Sequence, residues 1–66
     1  MNIKYNDQSV EYPDGYTLGL LLQDRRIQDM HVAVAVNNKI VKRSLRDEYA
    51  LHDGDEVVVI QATYGG

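Results

Sequence analysis

DGDEVVVIQA, residues 53–62, sets the reading of the rest of the chain. Asp53-Gly54-Asp55 is a turn signal, because glycine admits positive φ and short acidic side chains bond nearby backbone. The run from Glu56 to Gln61 that follows is apolar in its middle, too short for a typical helix and rich in β-branched residues. It reads as a strand covered on both sides. If it pairs centrally, beside the first strand, then residues 62–66 (ATYGG) leave the sheet next to its core as a flexible tail.

The segments upstream supply the other strands. In VAVAV, residues 32–36, Val32, Val34 and Val36 share one face and Ala33 and Ala35 the other, which predicts a central strand with a small-residue outer side. Asn37-Asn38 is a turn dipeptide that tolerates left-handed backbone, and Lys39-Ile40-Val41 follows as a short strand. Residues 43–52 form a loop or a short helical turn.

Toward the N-terminus, residues 2–6 alternate with Ile3 and Tyr5 on one face, and Asp7-Gln8 turn the chain back into Ser9-Val10-Glu11-Tyr12. Pro13-Asp14-Gly15 stops that run. Thr17 is placed to cap a helix that starts at Leu18, buries Leu18, Leu21 and Leu22, and ends near Arg26. Gly19 costs this helix up to ~1 kcal/mol relative to alanine, so tertiary packing must hold it. The order β-β-α-β-β-β predicts one α+β domain over residues 1–66, with a single main helix across a mixed sheet of about five strands.

Composition narrows the function. A 66-residue chain buries only roughly 60% of the surface that it exposes when unfolded, and it has no cysteine to staple it. Thiolate catalysis, a cysteine-ligated zinc and a cysteine-held cluster are excluded, and a reducing, cytoplasmic setting fits. A net charge of −3 points away from nucleic acid, and no apolar stretch approaches the ~20 residues that span a bilayer. His31 and His52 lack acidic neighbours at ligand spacing, so no metal is expected. Tyr5, Tyr12, Tyr16 and Tyr49 read as core and edge aromatics that bury a ring and keep the hydroxyl wet. Lys39, Lys42, Arg43 and Arg46 hold four of the seven basic residues within eight positions, either a solvated rim or a patch that steers an acidic partner.

The opening MNIKYNDQ, the helix start TLGLLL, then VAVAVNNKIV, DGDEVVVIQA and the final GG, in that order and at this length, resemble the ubiquitin-like β-grasp proteins and, among them, the ThiS family of sulfur carriers in thiamin (thiazole) biosynthesis. Lys42 departs from the proline often found there in relatives, and residues 43–52 carry Tyr49 but no tryptophan. The resemblance implies a protein co-substrate and not an enzyme. An E1-like adenylyltransferase (ThiF type) spends ATP on the C-terminal carboxylate of Gly66, sulfur from a cysteine desulfurase relay converts it to a thiocarboxylate, and thiazole synthase (ThiG type) takes the sulfur. The carrier itself binds no cofactor and is expected to be a monomer on its own.

The residues accommodate that chemistry. A C-terminal carboxylate is ionised at pH 7 and is a poor electrophile until an oxygen is made a leaving group. No phosphate-binding glycine loop or base constellation is present to do this, so a separate enzyme must. Gly65 and Gly66, without Cβ atoms, would thread a narrow channel and leave the reacting carbonyl open. For docking, Val58 and Ile60 belong to the side of the last strand facing away from the helix. Ala33, Ala35 and Tyr64 lie near them, and Lys42 and Arg43 stand at the basic rim. Two other readings share these features: the small sulfur-carrier subunit of molybdopterin synthase, and a regulatory or RNA-binding β-grasp module with no need of a free diglycine. A protein-conjugating modifier shares the chemistry as far as the adenylate.

Overall fold

The computed structural model describes residues 1–27 and 32–61. Strands β1 (Asn2–Tyr5) and β2 (Gln8–Glu11) precede helix α1 (Leu18–Asp24). Strands β3 (Val32–Val36) and β4 (Lys39–Ile40), a 3₁₀ helix (Arg43–Glu48) and strand β5 (Glu56–Gln61) complete the order. The five strands form one sheet in the order β2-β1-β5-β3-β4. As the sequence predicts, the last strand is central. It runs parallel to β1 through Lys4↔Glu56 and Tyr5↔Val57, and antiparallel to β3 from Val36↔Val57 to Val32↔Gln61.

Both hairpins close through two-residue turns of left-handed backbone, the type whose twist matches paired strands. Asn37 and Asn38 have φ of 52° and 69°, as expected from the dipeptide. The first turn is Asn6-Asp7, at φ 46° and 69°, and not Asp7-Gln8. Gln8 belongs to β2 and pairs with Tyr5, because the Asn-Asp pair accepts positive φ and glutamine has no such preference.

Thr17 caps α1 as predicted, its hydroxyl accepting from Leu20 N at 3.2 Å. The helix ends at Asp24 with Arg26 left-handed at φ 56°. Arg26 N donates to the Gln23 carbonyl and Ile27 N to that of Leu22, the paired bonds of a Schellman cap. Leu18, Leu21 and Leu22 join Ile3, Tyr5, Val34, Val36 and Val57 in the core. The start of α1 is tied to the far end of the chain, with Leu18 N bonded to the Tyr49 carbonyl and Leu51 N to that of Tyr16. Gly19 is explained by that docking: a Cβ there would stand 2.9 Å from Asp47 Cα, in the 3₁₀ helix.

The Asp-Gly-Asp turn works through its side chains. Asp53 Oδ1 accepts from Asn2 N at 2.6 Å, and Gly54, at φ 86°, donates to the Asn2 carbonyl. Buried Asp55 accepts from His52 N at 2.8 Å and from Asn37 Nδ2 at 2.9 Å. One short motif thus fixes the start of β5 to β1 on one side and to the β3-β4 turn on the other.

Three expectations are corrected. β5 is covered on one face only: Val57 is buried, whereas Val58 and Ile60 are 40% and 55% exposed. A run of β-branched residues looks the same whether its second face meets this chain or another surface. Arg46 is not part of a basic rim. It is buried, and its Nη2 donates to the Val32 carbonyl at 3.0 Å. Nor is the Tyr12 hydroxyl left to water: it donates to Asp24 Oδ2 at 2.9 Å and accepts from Arg25 Nε at 3.4 Å, while its ring stacks on Tyr16 at 4.6 Å. Lys42, by contrast, occupies φ −60°, a value that proline would also take.

Two outcomes follow from this packing. Gly19→Ala gains up to ~1 kcal/mol of helix propensity but forces the helix away from Asp47, an overpacking cost of about 1–3 kcal/mol, so denaturant unfolding is expected to show a net loss. Burial pushes the Tyr12 phenol above its ordinary value of 10.0, Arg25 opposing and Asp24 reinforcing the shift. The folded state therefore favours the neutral phenol. The stability it lends is complete below about pH 10 and is lost as pH rises through the raised folded value. Thermal unfolding between pH 8 and 11 is expected to fall more steeply for the native chain than for Tyr12→Phe.

Candidate functional site

The site is assembled on the sheet face away from α1. Pairing register fixes its membership. Val32, Val34 and Val36 turn toward the helix, so Ala33 and Ala35 point outward, and their partners Ile60 and Val58 on β5 do the same. Ala35 is also paired with Ile40 on β4, and Ile40 is 66% exposed. The outward face therefore carries two apolar rows, Ile40-Ala35-Val58 and Ala33-Ile60. On the other half of the sheet the same face is polar, with Glu56 opposite Lys4 and Lys4 opposite Ser9.

The predicted patch residues Val58, Ile60, Ala33 and Ala35 are thus brought together on one surface. Ile40 was missed, although the Asn37-Asn38 hairpin contained the signal: a two-residue turn sets residue 40 opposite residue 35. Lys42 and Arg43 are exposed where the chain passes from β4 into the 3₁₀ helix, and the strand register puts neither in the apolar rows. Tyr64, Gly65 and Gly66 lie outside the described residues, as do His31 and the tail over 62–66 as a whole. β5 itself ends at Gln61, so the apolar rows lie on the strand that leads directly into that segment.

Catalytic furniture is sparse. Among the described residues no group of three or more His, Cys, Asp or Glu side chains could hold a metal ion, and no helix is long and apolar enough to cross a membrane. His52 is exposed on the turn before β5, where its backbone N–H, not its imidazole, is used. The acidic side chains of the Asp-Gly-Asp turn are engaged with backbone and with Asn37. What the described surface offers is an apolar face on a central strand that runs into a diglycine segment.

Comparison with known proteins gives this arrangement its family. The family model described as the ThiS family matches residues 3–66. The sulfur carrier protein ThiS of Escherichia coli (strain K12) is 32% identical over 66 residues, covering the whole of both chains. The crystal structure of the thiamine biosynthesis protein ThiS from Geobacter metallireducens superposes with a TM-score of 0.85 at 25% identity, again over the full length of both. The solution structure of a thiamine biosynthesis protein from the same organism gives 0.78 at 25% identity, over all of this chain and 88% of that one. With the β-grasp sheet order, the open apolar face of β5 and a family match that runs through Gly66, the chain belongs to the ThiS family.

Proposed function

We propose that this protein is the sulfur carrier of thiamin biosynthesis, and that the cargo is carried on the carboxylate of Gly66. The observation that carries the reading is the full-length correspondence with the ThiS family, which includes the diglycine. In the reaction the Gly66 carboxylate attacks the α-phosphate of ATP in the site of an E1-like adenylyltransferase, pyrophosphate leaves, and an acyl-adenylate results. The terminal sulfur of a persulfide supplied by a cysteine desulfurase relay then attacks the acyl carbon and AMP departs. A second thiol of the relay cleaves the resulting acyl disulfide, taking the relay sulfur into a disulfide and releasing the thiocarboxylate. The thiocarboxylate formed is the nucleophile that thiazole synthase accepts. The protein is a co-substrate at every step: ATP is bound by the activating partner, and the carrier needs no cofactor of its own.

Two features of the fold support this division of labour. The tail follows in sequence a strand whose start is paired on both edges and whose ladder with β3 continues to Gln61, so the chain leading to the diglycine is anchored in the middle of the sheet. The apolar rows on the same strand give each partner a surface to grip while the tail enters its site. Residues such as Val58 and Ile60 are the exposed aliphatic groups that a partner would desolvate, and the polar half of the same face would form the rim. An absence of cysteine leaves no internal thiolate to attack the activated terminus, which suits work in a reducing cytoplasm.

The diglycine and the docking face are separable by experiment. Adding one serine after Gly66 leaves the fold intact and removes the reacting carbonyl from its register, so ATP–pyrophosphate exchange with the activating enzyme is expected to vanish while the unfolding midpoint stays put. Exchange at the native rate in the extended chain would contradict the assignment of Gly66. Val58→Asp places an unpaired charge in the docking face. It is expected to raise KM for the carrier by about tenfold or more while costing the free chain about 1 kcal/mol for aspartate's poor fit to a strand, because most of the cost of burying that charge arises in the complex.

A further inference from the structure

The two edges of β5 are paired unequally. On the β3 side the ladder runs the length of the strand to Gln61. On the β1 side it stops at Tyr5↔Val57, with a last backbone bond from Asn6 N to the Val57 carbonyl at 2.9 Å, because the Asn6-Asp7 turn carries β1 away. The next amide and carbonyl along that edge are those of Val59. The Asn6 side chain takes both: Oδ1 accepts from Val59 N at 2.9 Å, and Nδ2 donates to the Val59 carbonyl at 3.5 Å.

A primary amide carries the same donor and acceptor as a peptide group, so this one side chain continues the β1 edge for one more step of the ladder. The same residue opens the turn at φ 46°, where asparagine is tolerated better than most non-glycine residues. Backbone and side chain thus make separate demands on position 6, and asparagine meets both.

We propose that Asn6 is a positioning residue for the C-terminal tail: its amide fixes β5 at Val59, two residues before the strand ends, and so sets the origin from which the segment leading to Gly66 departs. The inference rests on the reading of Gly66 as the group that is adenylated. A strand held on both edges as far as Val59 presents the tail from a fixed point. A strand that frays there enlarges the volume its end explores and lowers the effective concentration of the carboxylate in the partner's site. The effect belongs to KM for the carrier, since the chemistry after seating is the partner's.

The test uses the full chain in two forms. Asn6→Gly keeps the positive φ and deletes the amide; Asn6→Asp keeps the 2.9 Å acceptor and lacks the donor. Hydrogen exchange is followed at Val59 and at the core amides of Ile3 and Val34, alongside steady-state adenylation by the cognate activating enzyme. Asn6→Gly is expected to speed exchange at Val59 selectively and to raise KM about five- to tenfold at unchanged kcat, the equivalent of one lost hydrogen bond, with Asn6→Asp restoring most of the loss. An unchanged KM in Asn6→Gly, or equal acceleration of exchange at Val59, Ile3 and Val34, overturns the positioning role. Failure of the unsubstituted chain to be adenylated by a competent enzyme instead overturns the reading of Gly66, and the inference with it; that outcome is seen before either variant is compared.

Discussion

The double pairing of β5, parallel to β1 on one edge and antiparallel to β3 on the other, is the constraint on which the rest of the molecule depends. It joins the first strand to the last, so Lys4 lies opposite Glu56 and the sheet is complete only when nearly the whole chain has been gathered. Contacts of such sequence separation form slowly and must be secured by more than a short ladder. The Asp-Gly-Asp turn supplies that security at the start of β5, through Asp53 on the Asn2 amide and Asp55 on Asn37 and His52. Asn6 supplies it farther along. A domain of this size without disulfides has little core to spare, and these side-chain-to-backbone bonds hold the central strand where aliphatic packing acts on one face alone.

That one-sided packing links fold to function. Val57 faces the helix and is buried, while its neighbours Val58 and Ile60 face outward with Ala33, Ala35 and Ile40. Aliphatic residues on both sides of a central strand would ordinarily mean two covering layers. Here one layer belongs to the chain and the other face is open, which fits the proposed docking of a partner. The alanines keep that surface shallow, and the polar side chains of β1 and β2 confine the apolar area to the half of the sheet formed by β5, β3 and β4.

Much of this architecture was legible from residue patterns. Alternation in residues 2–6 and 32–36 separated buried from outward faces correctly, and Thr17 with Leu18, Leu21 and Leu22 located the helix and its buried stripe. What escaped the patterns were features set by contacts distant in sequence. Arg46 sits among basic neighbours in the chain, yet packs inward against the Val32 carbonyl. Gly19 looks like a weak point in a helix until Asp47 is seen against it. Ile40 joins the outward face only through its register with Ala35. The role of Asn6 required knowing which strand ends beside Val59. The role of the diglycine is a proposal that rests on the sequence and the family match alone: two residues without side chains would leave the carbonyl of a reactive end open.

The most direct test of the account is the intact mass of the protein after incubation with ATP, a sulfur donor and the cognate activating enzyme. Replacing one carboxylate oxygen by sulfur adds about 16 Da. The account requires that gain, localised to Gly66 by fragmentation; an unchanged mass with a demonstrably competent enzyme, or a gain localised elsewhere in the chain, would contradict it.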